Sequence, residues 1–158
     1  MLDILPIIPL FQDLSPAETE QIKPLFESKS YPAGMVIFEQ GDPATHLYLI
    51  LEGAVSVRYK PYDGATMTLT RLRSGDVFGW SAVIGSAKFT SSIWSETQLE
   101  ILRIHKNDLW DLVNTYPEFG KTIINRFARM VSPRWENAHA QIQLLLESNK
   151  VKTLGGQI

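Results

Sequence analysis

The chain has 158 residues, 44% apolar and 20% charged, with a net charge of −2 and no cysteine. That balance suits one soluble globular domain, and the missing thiols exclude disulfides, thiolate zinc sites and Fe–S clusters. No general basic footprint points to nucleic acid, no run approaches the roughly 20 apolar residues of a membrane helix, and an N-terminus broken by Pro6 and Pro9 lacks the basic start of a signal peptide, so a cytoplasmic protein is expected.

Pro6 to Phe11 is apolar and proline-punctuated. Ser15-Pro16-Ala17-Glu18 is a capping box with Pro at the first helical position. It predicts a helix to about Phe26, interrupted near Pro24, within a helical lead-in over 1–29. From 30 to 105 the pattern turns to β. Met35–Phe38, Leu47–Leu51, Ala54–Tyr59, Thr66–Thr70 and Leu99–Ile104 read as short strands, separated by turn signals at Gly41-Asp42-Pro43, Glu52-Gly53 and Asp63-Gly64. Strands at this spacing argue a sandwich or barrel. Residues 106–150 read as helical. Lys106 to Leu109 opens one helix, and Pro117 a second with Phe119, Ile123, Phe127 and Met130 on one side. Ser132-Pro133 starts a third, over 133–148. There Trp135, Ala138, Ile142 and Leu145 form a heptad seam.

One stretch carries chemistry. After the turn Ser74-Gly75-Asp76, the strand Val77-Phe78 meets Gly79, then a helical turn Trp80–Ile84 ended by Gly85-Ser86, then Thr90, Ser91 and Ser92 opening a strand. A Gly followed by the free N–H groups of a helix start is a ready anion pocket, and returning hydroxyls would complete it. A plain turn is the competing reading. Alternation puts Phe89, Ser91 and Ile93 on one face and Thr90, Ser92 and Trp94 on the other.

This stretch aligns without a gap to the phosphate-binding cassette of cyclic nucleotide-binding domains, the family of the catabolite activator protein, kinase regulatory subunits and cyclic-nucleotide-gated channels. The family's pattern is Phe-Gly-Glu-Leu-Ala, a turn, then Pro-Arg-x-Ala. Phe78, Gly79 and Ala82 match it. Leu10-Phe11 before the capping box, and Tyr48–Val55 with Gly64, also resemble the family, so the likeness runs from about Leu10 to Leu146. It implies one domain over 1–158, mainly β with flanking helices: a jelly-roll barrel (double-stranded β-helix) with an N-terminal helix and C-terminal helices. It also implies a pocket at Phe78, Gly79, Trp80, Ser81, Ala82, Lys88, Phe89, Thr90 and Ser91. The family's Glu holds the ribose and its Arg the cyclic phosphate; those positions are Trp80 and Phe89 here, with Lys88 in the Pro slot, which does not face the phosphate. The family's Arg enters the pocket, so Phe89 should too.

Two functions remain open. One is a stand-alone sensor of the family, taking a cyclic nucleotide or another small anionic or apolar ligand, against a wall formed by Trp80 and Phe89. The other is a ligand-free dimerisation or interaction module, in which the two aromatics plug the cavity. No certain cofactor is implied. Family transcription factors continue into a winged helix-turn-helix, for which the sequence past the third helix leaves no room, so nucleic acid is not an expected partner; a downstream protein is. Enzyme chemistry is not expected: no Walker loop, dinucleotide fingerprint or nucleophile elbow occurs, and His46, His105 and His139 lie on separate elements. Asp108 and Asp111 are read as solvated.

The resemblance makes the 133–148 helix a homodimer contact, although at about four turns an isolated coiled coil would be marginal. Ile142→Glu with Leu145→Glu should therefore yield a folded monomer by light scattering, with unchanged β-type circular dichroism. Wild-type protein that is already monomeric at tens of micromolar would reduce the seam to an internal packing stripe.

Overall fold

The computed structural model describes residues 8–61 and 64–131. The 133–148 helix and its seam, and Asp63 of the hairpin signal, lie outside the described residues. Within them, Ser15 caps α1 (Pro16–Ile22) through a complete capping box. Lys23–Leu25 forms a single tighter turn around Pro24. The chain then enters β1 (Phe26–Tyr31), which starts within the stretch expected to be helical lead-in and runs on into the expected β region. Phe-Glu-Ser-Lys-Ser-Tyr lacks a strand's apolar alternation. Its conformation comes from pairing, Phe26 opposite Ile104 through Tyr31 opposite Leu99, and tertiary pairing overrides weak local preference.

The other strands follow as β2 (Val36–Phe38), β3 (His46–Glu52), β4 (Ala54–Tyr59), β5 (Met67–Arg73), β6 (Val77–Phe78), β7 (Ser92–Ser95) and β8 (Leu99–His105). They form two four-stranded sheets, β1-β8-β3-β6 and β2-β7-β4-β5. The antiparallel pairs β1·β8, β2·β7, β3·β6 and β4·β5 nest inside one another. That is one long hairpin rolled up, the pairing of a jelly roll. Two helices close the chain, α2 (Lys106–Thr115) and α3 (Pro117–Arg129).

Strand alternation sorts the apolar side chains into two cores. Tyr48 and Ile50 of β3, Leu99 and Ile101 of β8, Val55 and Val57 of β4 and Ile93 of β7 meet between the sheets. Leu47, Leu49, Leu102 and Ile104 point the other way and pack with Phe119, Ile123 and Phe127 of α3. Arg126 ties α3 to the N-terminal segment, donating to the carbonyls of Leu10 at 3.0 Å and Gln12 at 2.7 Å.

The inward row of sheet one ends in polar groups. Arg103 Nε lies 2.8 Å from Glu27 Oε1, and this hydrogen bond holds the Glu27 carboxyl below the usual range. His46 Nδ1 meets Thr45 Oγ1 at 2.8 Å, and the His46 and His105 rings touch edge to face with centroids 4.9 Å apart. The two histidines expected on separate elements are thus cross-strand partners. His105 accepts a hydrogen bond from the Asn107 amide and so caps α2. Asp108 and Asp111 are exposed. No group of three or more His, Asp or Glu among the described residues is arranged to hold a metal ion, and none of the described helices is long and apolar enough to cross a membrane.

Burial, with the Arg103 and His105 charges, pushes His46 down to about 4, against the opposing pull of Glu27 and Asp108. At neutral pH His46 is therefore uncharged, and its 3.9 Å approach to Glu27 is not an ion pair. A histidine depressed in the folded state contributes stability above its unfolded value near 6.5, and loses it as pH falls through that value toward the folded one. Urea unfolding of wild type between pH 7 and 4 should steepen relative to His46→Asn by up to one proton, about 1.4 kcal/mol per pH unit. Parallel profiles would mean that His46 titrates normally.

Candidate functional site

Gly79 sits where β6 ends against β3. Its φ is +85°, a left-handed conformation that side chains disfavour. A Cβ there would lie 2.7 Å from the His46 carbonyl oxygen and 3.1 Å from the Tyr48 ring. Both constraints demand glycine, and they let the chain turn sharply off the sheet. Trp80–Ala82 then forms one tight helical turn. The Ala82 amide donates back to the Gly79 carbonyl at 3.1 Å, and the Val83 and Ile84 amides to that of Trp80. The free N–H groups expected after Gly79 are thus fewer than a longer helix start would offer.

The return arm departs from the expected strand. Phe89 bonds to the turn after β2, its amide donating to Asp42 O and its carbonyl accepting from Gly41 N, both at 2.9 Å. Lys88 bridges to Pro43. β7 begins only at Ser92, so Thr90 and Ser91 lie in the connection before it. The expected alternation nevertheless appears in burial, with Phe89, Ser91 and Ile93 buried and Thr90 exposed.

Phe78, Gly79, Trp80, Ser81, Phe89, Thr90 and Ser91 line one cavity together with Phe38, Val57, Leu72 and Ile93. Two of the nine expected site residues do not line it. Ala82 packs into the core between the sheets, and Lys88 is exposed. Of the four additional residues, Ile93 continues the face already shared by Phe89 and Ser91, while Phe38, Val57 and Leu72 come from strands distant in sequence and only their inward alternation marks them. The cavity holds about 30 Å³, a tenth or less of the roughly 300–1,000 Å³ of a small-molecule site.

Two aromatic side chains account for that size. Phe89 stacks on Phe38 with centroids 3.6 Å apart and planes 10° from parallel, beside the stacked pair Tyr48 and Phe78 at 4.7 Å. Trp80 is 1% exposed and belongs to the helix-side core with Leu47, Val77 and Val83. It therefore roots the turn in the layer under the helices while it also borders the cavity. Its Nε1 has no hydrogen-bond partner, the one buried side-chain polar atom so placed among the described residues. The neighbouring Trp110 Nε1 donates to the Val83 carbonyl at 3.2 Å.

Residues 28–116 match the cyclic nucleotide-binding domain family. The chain is 28% identical, over 87% of its length, to the cyclic AMP receptor protein of Thermus thermophilus, and 32% identical over 75% to a cyclic nucleotide-gated potassium channel of Mesorhizobium japonicum. It spans 62% of the first relative and 33% of the second. Among solved structures, a putative cyclic nucleotide-binding protein from Geobacter metallireducens superposes with a TM-score of 0.69 at 26% identity, covering 81% of this chain and 92% of that one. The Thermus thermophilus catabolite activator protein gives 0.65 at 28%, covering 87% and 63%. The relatives found are mostly regulators and channels, with a cAMP-binding acyltransferase from Mycobacterium smegmatis among the structural neighbours. With the nested jelly-roll pairing, the cassette glycine and these matches in agreement, the chain belongs to the cyclic nucleotide-binding domain family.

Proposed function

We propose that this protein is a regulatory module of its family that works through protein contacts and does not take a cyclic nucleotide in its cassette. The cavity of about 30 Å³ carries this reading, because small-molecule sites run to roughly 300–1,000 Å³. Chemistry supports it. The family's phosphate and ribose ligands are replaced by Phe89 and Trp80, and each lost charged hydrogen bond is worth about 1.5–3 kcal/mol. Both together weaken binding on the order of 10²–10⁴-fold. An ionised phosphate would also have to enter an apolar wall. In this reading the protein is cytoplasmic, carries no catalytic residue, binds no nucleic acid, dimerises through the 133–148 helix and acts on a downstream protein.

A second reading rests on Trp80 Nε1. A buried donor without a partner costs about 1–3 kcal/mol, and a small ligand with an acceptor atom would relieve it if Phe89 moved aside. That ligand would appear as a bound mass in native mass spectrometry, and the overfilling variant Phe89→Trp would remove it.

Isothermal calorimetry with cAMP and cGMP tests the first reading. Wild type should give no saturable heat to about millimolar ligand, the limit set by the two lost contacts. Phe89→Arg alone, and with Trp80→Glu, should bind progressively better. Trp80→Glu places a carboxyl in the helix-side core, so the single Phe89→Arg variant carries the test if the double variant unfolds. Low-micromolar binding by wild type overturns the proposal.

A further inference from the structure

Val57 of β4 and Ile93 of β7 are cross-strand partners and line the cassette cavity. The neighbouring rungs, Arg58 opposite Ser92 and Ser56 opposite Trp94, alternate to the other side of the same strands. There Arg58, Ser92 and Trp94 border a cleft of about 420 Å³, walled also by Glu39, Gln40 and Lys60. Where the family's pocket is filled, this cleft behind it has the volume of a small-molecule site.

The walls of the cleft are held in place. The Gln40 side chain clips the end of β4, accepting from the Lys60 amide at 2.8 Å and donating to the Lys60 carbonyl at 3.0 Å. The Gln40 amide donates to Ser92 Oγ at 2.8 Å. Arg58 lies over the Trp94 ring, 4.3 Å from its centroid, and its Nε donates to Ser56 Oγ at 3.0 Å. These contacts orient the guanidinium, and among the described residues its outer N–H groups make no further hydrogen bond. Among the described residues, the Lys60 ammonium reaches only the Gly64 carbonyl, at 3.4 Å. Neither cation has a carboxylate partner among the described residues. Among the described residues that line the cleft, Arg58 and Lys60 are the cations and Glu39 the one acid. A simple surface staple of Arg58 on Trp94 would require neither the concavity nor the unpaired lysine beside it. A pre-oriented guanidinium fork with a second cation is the arrangement that takes carboxylate or phosphate.

We infer that this outer cleft binds a small organic anion, its carboxylate or phosphate held by Arg58 and Lys60 and its body against Trp94. This is independent of the cassette reading, because none of the cleft's residues lines the cassette cavity. An occupant would bear on β4 and β7, the walls the two spaces share.

The test is an NMR titration of the full chain at low ionic strength, where exposed charges are least screened. Benzoate and phenyl phosphate are the probes, and the indole N–H signals are the readout. Saturable shifts are expected at the Trp94 indole and the Arg58 and Ser92 amides, with the Trp80 and Trp110 indoles unmoved. Arg58→Gln and Lys60→Gln should each weaken binding about tenfold or more, the loss of one charged hydrogen bond. Both side chains sit at the surface, and the same spectra report whether the variants fold. Shifts that rise linearly without saturation for both probes, that persist unchanged in the double variant, or that centre on Trp80 overturn the inference.

Discussion

The central strands β3 and β8 are buried on both faces, and the architecture depends on their register. His46 faces His105 and Tyr48 faces Arg103, while Leu47 and Leu49 pair with Ile104 and Leu102. The first row looks between the sheets and the second toward the helices. Slipping the pair by one residue would exchange the rows, driving Arg103 and His46 under α3 and leaving leucines against the polar end of the sandwich. Burying an unpaired guanidinium is far costlier than any strand preference. The register is therefore set by where charge can go as much as by where leucine can.

Because two cores share these strands, the cassette turn inherits a choice between layers. Gly79 abuts the start of β3 so closely that its Cβ position is already occupied, which throws Trp80 into the helix-side core. Phe89 returns on the other side and stacks on Phe38 between the sheets. The site is closed from both layers at once. Neither residue is a casual filler, because Trp80 packs the turn onto the helices and Phe89 joins the aromatic group of Phe38, Tyr48 and Phe78. Aromatic pairs in such a group add about 0.5–1.5 kcal/mol beyond their buried area.

Where local chemistry decides the conformation, the sequence was legible. The capping box at Ser15, the proline at position 117 and the left-handed glycines at 41, 53, 75, 79 and 85 each satisfy a backbone need that one or two residue types meet. The alternation of Phe89, Ser91 and Ile93 was readable because burial on a strand-like segment follows a period of two. β1 was not readable, since its polar text becomes a strand only through pairing with β8. Nor was the cavity's volume. Whether Trp80 and Phe89 line a space or fill it depends on Phe38, Leu72 and Val57, which arrive from three other strands. The outer cleft was hidden for the same reason: Gln40 and Lys60 are 20 positions apart, and neither belongs to a motif.

A ligand shifts an equilibrium only by binding one state better than the other. An open cassette offers a hole that ligand fills, and the difference between empty and occupied is what drives such a switch. Here the chain's own rings occupy most of that hole. Expelling Phe89 to admit a ligand would forfeit its stack on Phe38 and open an apolar cavity, a cost of about 3–5 kcal/mol by analogy with removing a buried aromatic. Any ligand must repay that before it shifts a population. A signal that enters through a surface contact carries no such debt, whether in the outer cleft or at a partner protein. If this module has retained a switch, the physical argument places its input outside the pocket.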